Sequence, residues 1–240
     1  LTFRQSLDRA VLMSSTQSER YLILEVEAPT RNDRQRQNVH LALVMDTSGS
    51  MSSEGKLKHA RMAASELLDQ LQEGDSFSLV TFSDHAKTVI PTTGIDGIAM
   101  ARRTLKGIHP KGGTNLYDGL QLGLAQLESI PQPGVRRVVL LSDGMANIGT
   151  TSPQALAREA SSLVGEGVSV SGFGLGLDYS EDTLTAISDA GGGSYRFVDR
   201  PGQLSEVFAT ELRQMSEVIA RETLLKISTP PSTQIIDVFG

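Results

Sequence analysis

Short runs of almost unbroken apolar, β-forming residues alternate along this chain with segments whose apolar residues recur at helical spacing, and few folds accommodate that alternation. The runs are Val39–Met45, Ser76–Ser83, Val135–Leu141, Gly167–Phe173 and Ser194–Val198. Between them Leu57, Ala60, Ala64, Leu67, Leu68 and Leu71 share one helical face, as do Leu116, Leu120, Leu124 and Leu127. Ser152-Pro153 offers a capping hydroxyl followed by proline at the first helical position, and Leu156, Ala160 and Leu163 continue on one stripe. A last helix carries Leu204, Phe208, Leu212, Met215 and Ile219. A strand that is apolar on both faces must be covered on both. The pattern therefore predicts an α/β fold, a doubly wound and mostly parallel sheet with helices on each side. Ala86–Ile90 follows its predecessor too closely for a crossover helix and is expected as a short antiparallel edge strand.

This core is expected to occupy residues 38–219, inside a chain of 240. The flanks, 1–37 and 220–240, read differently. Tyr21–Ala28 has strand character and leads into a polar linker, Pro29–Asn38. Glu222–Ser228 and Thr233–Phe239 read as two more strands on either side of Pro230-Pro231. Strands from both ends cannot join a sheet already covered by helices, so they are expected to pair with each other in a small, incomplete β appendage.

Composition removes several classes of function. With 22 Lys+Arg against 28 Asp+Glu the formal net charge is −6, which argues against nucleic acid as a partner. The chain has no cysteine, so thiolate metal sites, disulfides and a cysteine nucleophile are excluded. No apolar run approaches the roughly 20 residues of a membrane span, so membrane insertion is not expected within this segment. With no signal peptide in view a cytoplasmic location is expected, or an extracytoplasmic one if the chain is a piece of something longer.

Ligand sites of open α/β sheets lie beyond the carboxyl ends of the strands, which narrows the search to a few loops. The first strand ends in Asp46-Thr47-Ser48-Gly49-Ser50-Met51, and the fourth in Ser142-Asp143-Gly144. Lys111-Gly112-Gly113-Thr114-Asn115 precedes the Leu116 helix. These loops supply two carboxylates and three hydroxyls, without imidazole or thiolate. Oxygen-only donors of this kind suit a hard cation such as Mg²⁺, which keeps several waters and needs few protein ligands; Mn²⁺ or Ca²⁺ also suit oxygen. The i, i+2, i+4 spacing of Asp46, Ser48 and Ser50 lets one loop turn three oxygens toward one point.

Here the sequence resembles the von Willebrand factor A (VWA) family, in its bacterial form without inserts. The metal-ion-dependent adhesion site (MIDAS) of that family is Asp-x-Ser-x-Ser in the first loop, Thr in the second and Asp in the third, matched by Asp46, Ser48, Ser50, Thr114 and Asp143. The resemblance covers roughly residues 39–219. It implies a Mg²⁺-dependent protein-interaction module, with an Asp or Glu of a partner protein completing the coordination. Met51, Asn115 and Asn147 are expected around the rim. An alternative implied by the same likeness is a regulatory subunit working beside an AAA+ ATPase in a chelatase-like complex.

Each motif also has a plainer reading. Asp46, Ser48 and Ser50 alone would be an Asx-turn or helix cap, and Thr114 alone a cap of the Leu116 helix. Their occurrence in order in three separated loops favours a shared site. Gly172-x-Gly174-x-Gly176 has the wrong spacing for a dinucleotide fingerprint and reads as a permissive strand exit. His40, His59, His85 and His109 lack ligand spacing and are expected at the surface or at edges. A metal-dependent hydrolase is the weakest reading, because no general base stands beside the proposed ligands and no nucleophile elbow is present.

Overall fold

The computed structural model describes residues 2–8, 19–27, 36–128, 130–176, 180–218 and 226–238. The chain divides into two compact units, one spanning Gln35–Glu217 and one formed by the flanks.

The larger unit is a six-stranded sheet. Its strands are β3 (Val39–Asp46), β4 (Ser76–Phe82), β5 (Ala86–Thr93), β6 (Val135–Ser142), β7 (Val168–Leu175) and β8 (Gly192–Val198), in the spatial order β5-β4-β3-β6-β7-β8. All pair in parallel except β5, which runs antiparallel to β4 at one edge, as its short connection requires. The chain order reverses beside β3, whose neighbours are β4 and β6. The carboxyl end of β3 therefore lies at a topological switch point, where the two halves of the sheet diverge and open a crevice. The described helices are α1 (Lys56–Leu68), α2 (Ile98–Lys106), α3 (Leu116–Glu128), α4 (Pro153–Gly165), α5 (Glu181–Ala190) and α6 (Leu204–Ser216). Every residue of β3 is buried, which is what an apolar run between two helical layers predicts.

One layer packs Leu116, Leu120, Leu124 and Leu127 of α3, with Leu156 and Leu163 of α4 and Ile187 of α5, onto Ala42, Val44, Val80 and Val138. Helix α3 lies close because it carries Gly123: a β-carbon there would sit 2.5 Å from Val44 Cγ2. On the opposite layer α1 and α6 pack against each other, and the ring of Phe208 lies 5.8 Å from that of Phe173. Helix α6 also carries a buried carboxylate. Glu211 accepts from Arg137 Nη1 at 2.7 Å and from Ser171 Oγ at 2.6 Å, so burying it leaves no unpaired charge.

Helices α2 and α5 were not apparent from periodicity. Only Ala101 and Leu105 of α2 are buried, too few for a stripe to show. In α5 the buried set includes Thr183 and Ser188 beside Leu184 and Ile187, which masks its apolar face. His40 also departs from expectation, being fully buried at the start of β3.

The smaller unit contains an antiparallel pair, β1 (Thr2–Leu7) with β2 (Leu22–Glu27), in register from Thr2↔Glu27 to Leu7↔Leu22. A small flanking sheet thus exists, but its described strands both come from the amino-terminal side. Thr233–Phe239, expected as a strand, forms none over its described residues 233–238. Glu222–Ser228 lies mostly outside the described residues, as does Ile219, and residues 226–228 are not strand. The physical reason is proximity. A partner about 20 residues away closes a far shorter loop than one about 200 residues away. Among the described residues no helix is long and apolar enough to cross a membrane.

Candidate metal centre

Asp46 is the last residue of β3, and the loop beyond it is pinned to its neighbours by backbone. Thr47 donates its N–H to Phe82 O at 2.8 Å and its hydroxyl to the same oxygen at 2.9 Å, tying the loop to the end of β4. Lys111 N–H then donates to Thr47 O at 2.7 Å, and Gly49 N–H to Gly112 O at 3.1 Å. The first and second loops are thereby stitched together. The second is joined to the third in the same way: Thr114 N–H donates to Asn147 Oδ1 at 2.8 Å, and Asn147 N–H returns a bond to Thr114 O at 3.1 Å. Loops that face the site are normally the mobile parts of a fold, and here three of them brace one another.

The five predicted donors converge on this platform. Asp46 Oδ1 accepts the Ser48 N–H at 2.7 Å, and its Oδ2 accepts the Ser142 hydroxyl at 2.6 Å. Ser48 Oγ and Ser50 Oγ lie 2.9 Å apart, and Ser50 Oγ–H donates to Asp143 Oδ1 at 2.7 Å. The point where a β-carbon on Gly144 would sit is 3.7 Å from Ser50 Oγ and 3.8 Å from Thr114 Oγ1, so both hydroxyls border one small gap. Asp46 and Asp143 are fully buried and Ser48 and Thr114 nearly so, whereas Ser50 is exposed. The cluster reaches the surface at Ser50.

Electrostatics set this carboxylate pair apart from an ordinary turn. Burial pushes the Asp46 carboxyl up to about 6, the Asp143 charge adds to the rise, and the bonds from Ser142 and Ser48 hold it back. Two buried carboxylates beside one another favour a cation between or near them. Lys56, the first residue of α1, already answers part of that demand: its Nζ donates to Asp143 Oδ2 at 2.8 Å, both groups being buried. Sequence reasoning missed Lys56, because a lysine in the first turn of a helix ordinarily reads as solvated. It missed Ser142 as a partner of Asp46 and also Asp84, whose Oδ1 accepts the Gly113 N–H at 2.7 Å and shapes the second loop.

The donor set fits a hard divalent ion. It is all oxygen, and it includes two carboxylates and three hydroxyls. Among the described residues there is no cluster of three or more His, Cys, Asp or Glu, so a caged, carboxylate-rich or imidazole-based site is not what this rim offers.

The rim differs from expectation at two positions. Met51 is fully buried and Asn115 is 5% exposed, so neither is available to a partner. The short 3₁₀ turn Gly49–Gly55 that follows Ser48 rotates Met51 inward, where an apolar side chain belongs. Asn115 instead works locally. Its Oδ1 accepts the Asp118 N–H at 3.3 Å and its Nδ2 donates to Asp84 O at 3.2 Å, capping α3. Asn147 is exposed, and Met145, two residues past Asp143 in the same loop, is 65% exposed.

Comparison with known proteins places the fold. The chain is 27% identical over 213 residues to YfbK of Escherichia coli K12, covering 88% of this chain but only 37% of that protein. Its fold superposes on the von Willebrand factor type A protein of Catenulispora acidiphila with a TM-score of 0.67 at 24% identity, over 75% of this chain and 43% of the other. It also superposes on proximal thread matrix protein 1 of the mussel byssus, a structure with zinc in its MIDAS motif, at a TM-score of 0.61 and 24% identity, over 75% and 46% of the two chains. The family model for the von Willebrand factor type A domain matches residues 40–210, which take in the sheet and all three loops, and the chain belongs to that family.

Proposed function

We propose that this chain is a divalent-metal-dependent protein-interaction module that binds an acidic side chain of a partner. VWA domains commonly act as metal-dependent interaction modules. The observation that carries the reading here is the convergence of Ser48, Ser50 and Thr114 hydroxyls with Asp46 and Asp143 on one rim, open to solvent at Ser50. Ser48, Ser50 and Thr114 would hold the ion by their hydroxyls, and Asp46 and Asp143 directly or through water. When bound, Mg²⁺ supplies an electrophilic centre to which an outside carboxylate can bind.

The hydrogen bonds around the two carboxylates support binding rather than turnover. Asp46 is held from two sides by Ser48 N–H and Ser142 Oγ–H, and Asp143 by Ser50 and Lys56. Each carboxylate accepts a hydroxyl, Ser142 on Asp46 and Ser50 on Asp143. The partner surface would include the exposed Asn147 and Met145 of the third loop.

Isothermal titration with MgCl₂ tests the reading. Wild type should take up one equivalent, and Ser48→Ala should lose at least tenfold in affinity, about 1.4 kcal/mol. Identical uptake by the two proteins would overturn it.

A further inference from the structure

Lys56 opens α1, yet its side chain is only 5% exposed and its partner Asp143 is fully buried. Lysine is almost never buried unless it is paired, and a buried ion pair is weak evidence for stability, so its presence needs another account. Its Nζ and Cε each lie 3.3 Å from where a β-carbon on Gly176 would sit, so the glycine just past β7 leaves the room that the ammonium occupies. Asp143 is divided between two neighbours. Its Oδ1 faces the Ser50 hydroxyl and its Oδ2 faces the ammonium.

Among the described residues the charges buried at this rim are Asp46, Asp143 and Lys56, whereas Asp84 and Lys111 beside them are exposed. Two carboxylates and one ammonium leave a single net negative charge. A divalent cation added to that set leaves one net positive charge, and an incoming carboxylate returns it to zero. Without Lys56 the same cation would already neutralise the site, and the carboxylate would make it negative. Uncompensated charge is costly in a site withdrawn from water.

We propose that Lys56 makes tight cation binding conditional on the partner: its fixed charge moves the neutral state of the site from metal-bound to metal-and-carboxylate-bound. This rests on the metal-dependent reading above and adds to it a coupling between the two ligands. Such coupling is reciprocal, so Lys56 weakens the cation alone and tightens the carboxylate on the loaded site.

Isothermal titration of MgCl₂ into the full chain, in acetate and in chloride at equal ionic strength, tests this. Acetate is the carboxylate probe. In wild type, acetate should raise Mg²⁺ affinity severalfold. Lys56→Met should bind Mg²⁺ in chloride roughly tenfold more tightly than wild type, within the usual range for coupled sites, and should lose the acetate effect. Lys56→Arg, which keeps the charge, should retain it. Should Lys56→Met fail to fold, Lys56→Gln removes the charge while leaving a donor for Asp143, and should behave as Lys56→Met is expected to. Equal Mg²⁺ affinity and an equal acetate effect in wild type and the uncharged variants would overturn the Lys56 inference alone. No Mg²⁺ uptake by any of these proteins in either buffer would overturn the metal-dependent reading and the inference with it.

Discussion

The two ends of the sheet each hold a buried aspartate paired to a cationic side chain, and they use it in opposite ways. At the amino-terminal end Asp75, just before β4, receives four donors. Arg36 Nη1 and Nη2 reach its two oxygens at 2.9 and 2.6 Å, Val39 N–H donates at 2.8 Å and Gln72 N–H at 2.9 Å. Two carboxylate oxygens offer about four lone-pair positions, and all of them are taken by fixed protein groups. At the carboxyl end Asp143 receives two donors among the described residues, the Ser50 hydroxyl and the Lys56 ammonium. One of these can rotate away. A saturated carboxylate is a fastener, and an unsaturated one beside a rotatable hydroxyl can exchange partners for a ligand.

The largest expected effect is therefore at the end away from the site. Asp75→Ala leaves the Arg36 guanidinium and two N–H groups without their acceptor, and breaking a buried pair of this kind costs about 3 kcal/mol. For a domain of this size the thermal midpoint should fall by on the order of 10 °C. The same drop should be seen by circular dichroism in EDTA and in Mg²⁺. A loss that Mg²⁺ repairs would show that Asp75 is linked to the site after all, and the contrast between the two ends would fail.

Asp143→Asn should do the converse. Saturating Mg²⁺, at about 100 times Kd, stabilises wild type by about 2.7 kcal/mol, or several degrees in midpoint. Asp143→Asn should abolish that gain; its amide oxygen still accepts from the Lys56 ammonium, so the midpoint in EDTA should fall by less than in Asp75→Ala. A midpoint in EDTA that drops as far as that of Asp75→Ala would place Asp143 among the fasteners.

The same contrast explains what could be read from the chain in advance. The all-buried strands and the antiparallel edge were legible because burial on both faces removes polar residues, and that removal is visible in one dimension. Asp46, Ser48, Ser50, Thr114 and Asp143 were legible because oxygen donors at strand ends are a pattern of types and spacings. Lys56 and Ser142 were not, since what matters is which side chain meets Asp143 or Asp46 across 87 and 96 residues of chain. Met51 was misplaced for a related reason: adjacency to Ser50 in sequence says nothing of which way a 3₁₀ turn points its side chain. The β1 strand was missed because only Phe3 and Leu7 of its six residues are apolar, and its partner is recognisable only through the register that pairs Phe3 with Val26 and Leu7 with Leu22.

The smallest effect concerns pH and again divides the two ends. His40 is buried at the start of β3, with Nδ1 2.9 Å from Ser76 Oγ, while Asp46 ends the same strand roughly 20 Å away at the rise of an extended chain. Burial lowers the His40 pKa below 6.5, and the Arg136 charge lowers it further against opposing hydrogen bonds. A histidine that is harder to protonate when folded contributes stability in full above its unfolded pKa near 6.5. That contribution is lost as pH falls from there toward the lowered folded value. Between pH 7.5 and 5.5 wild type should therefore lose slightly more in thermal midpoint than His40→Gln does. Because His40 belongs to the fastened end, this difference should be the same in EDTA and in Mg²⁺. If Mg²⁺ erased it, the strand would be transmitting charge from one end to the other, and the two ends could no longer be treated as independent.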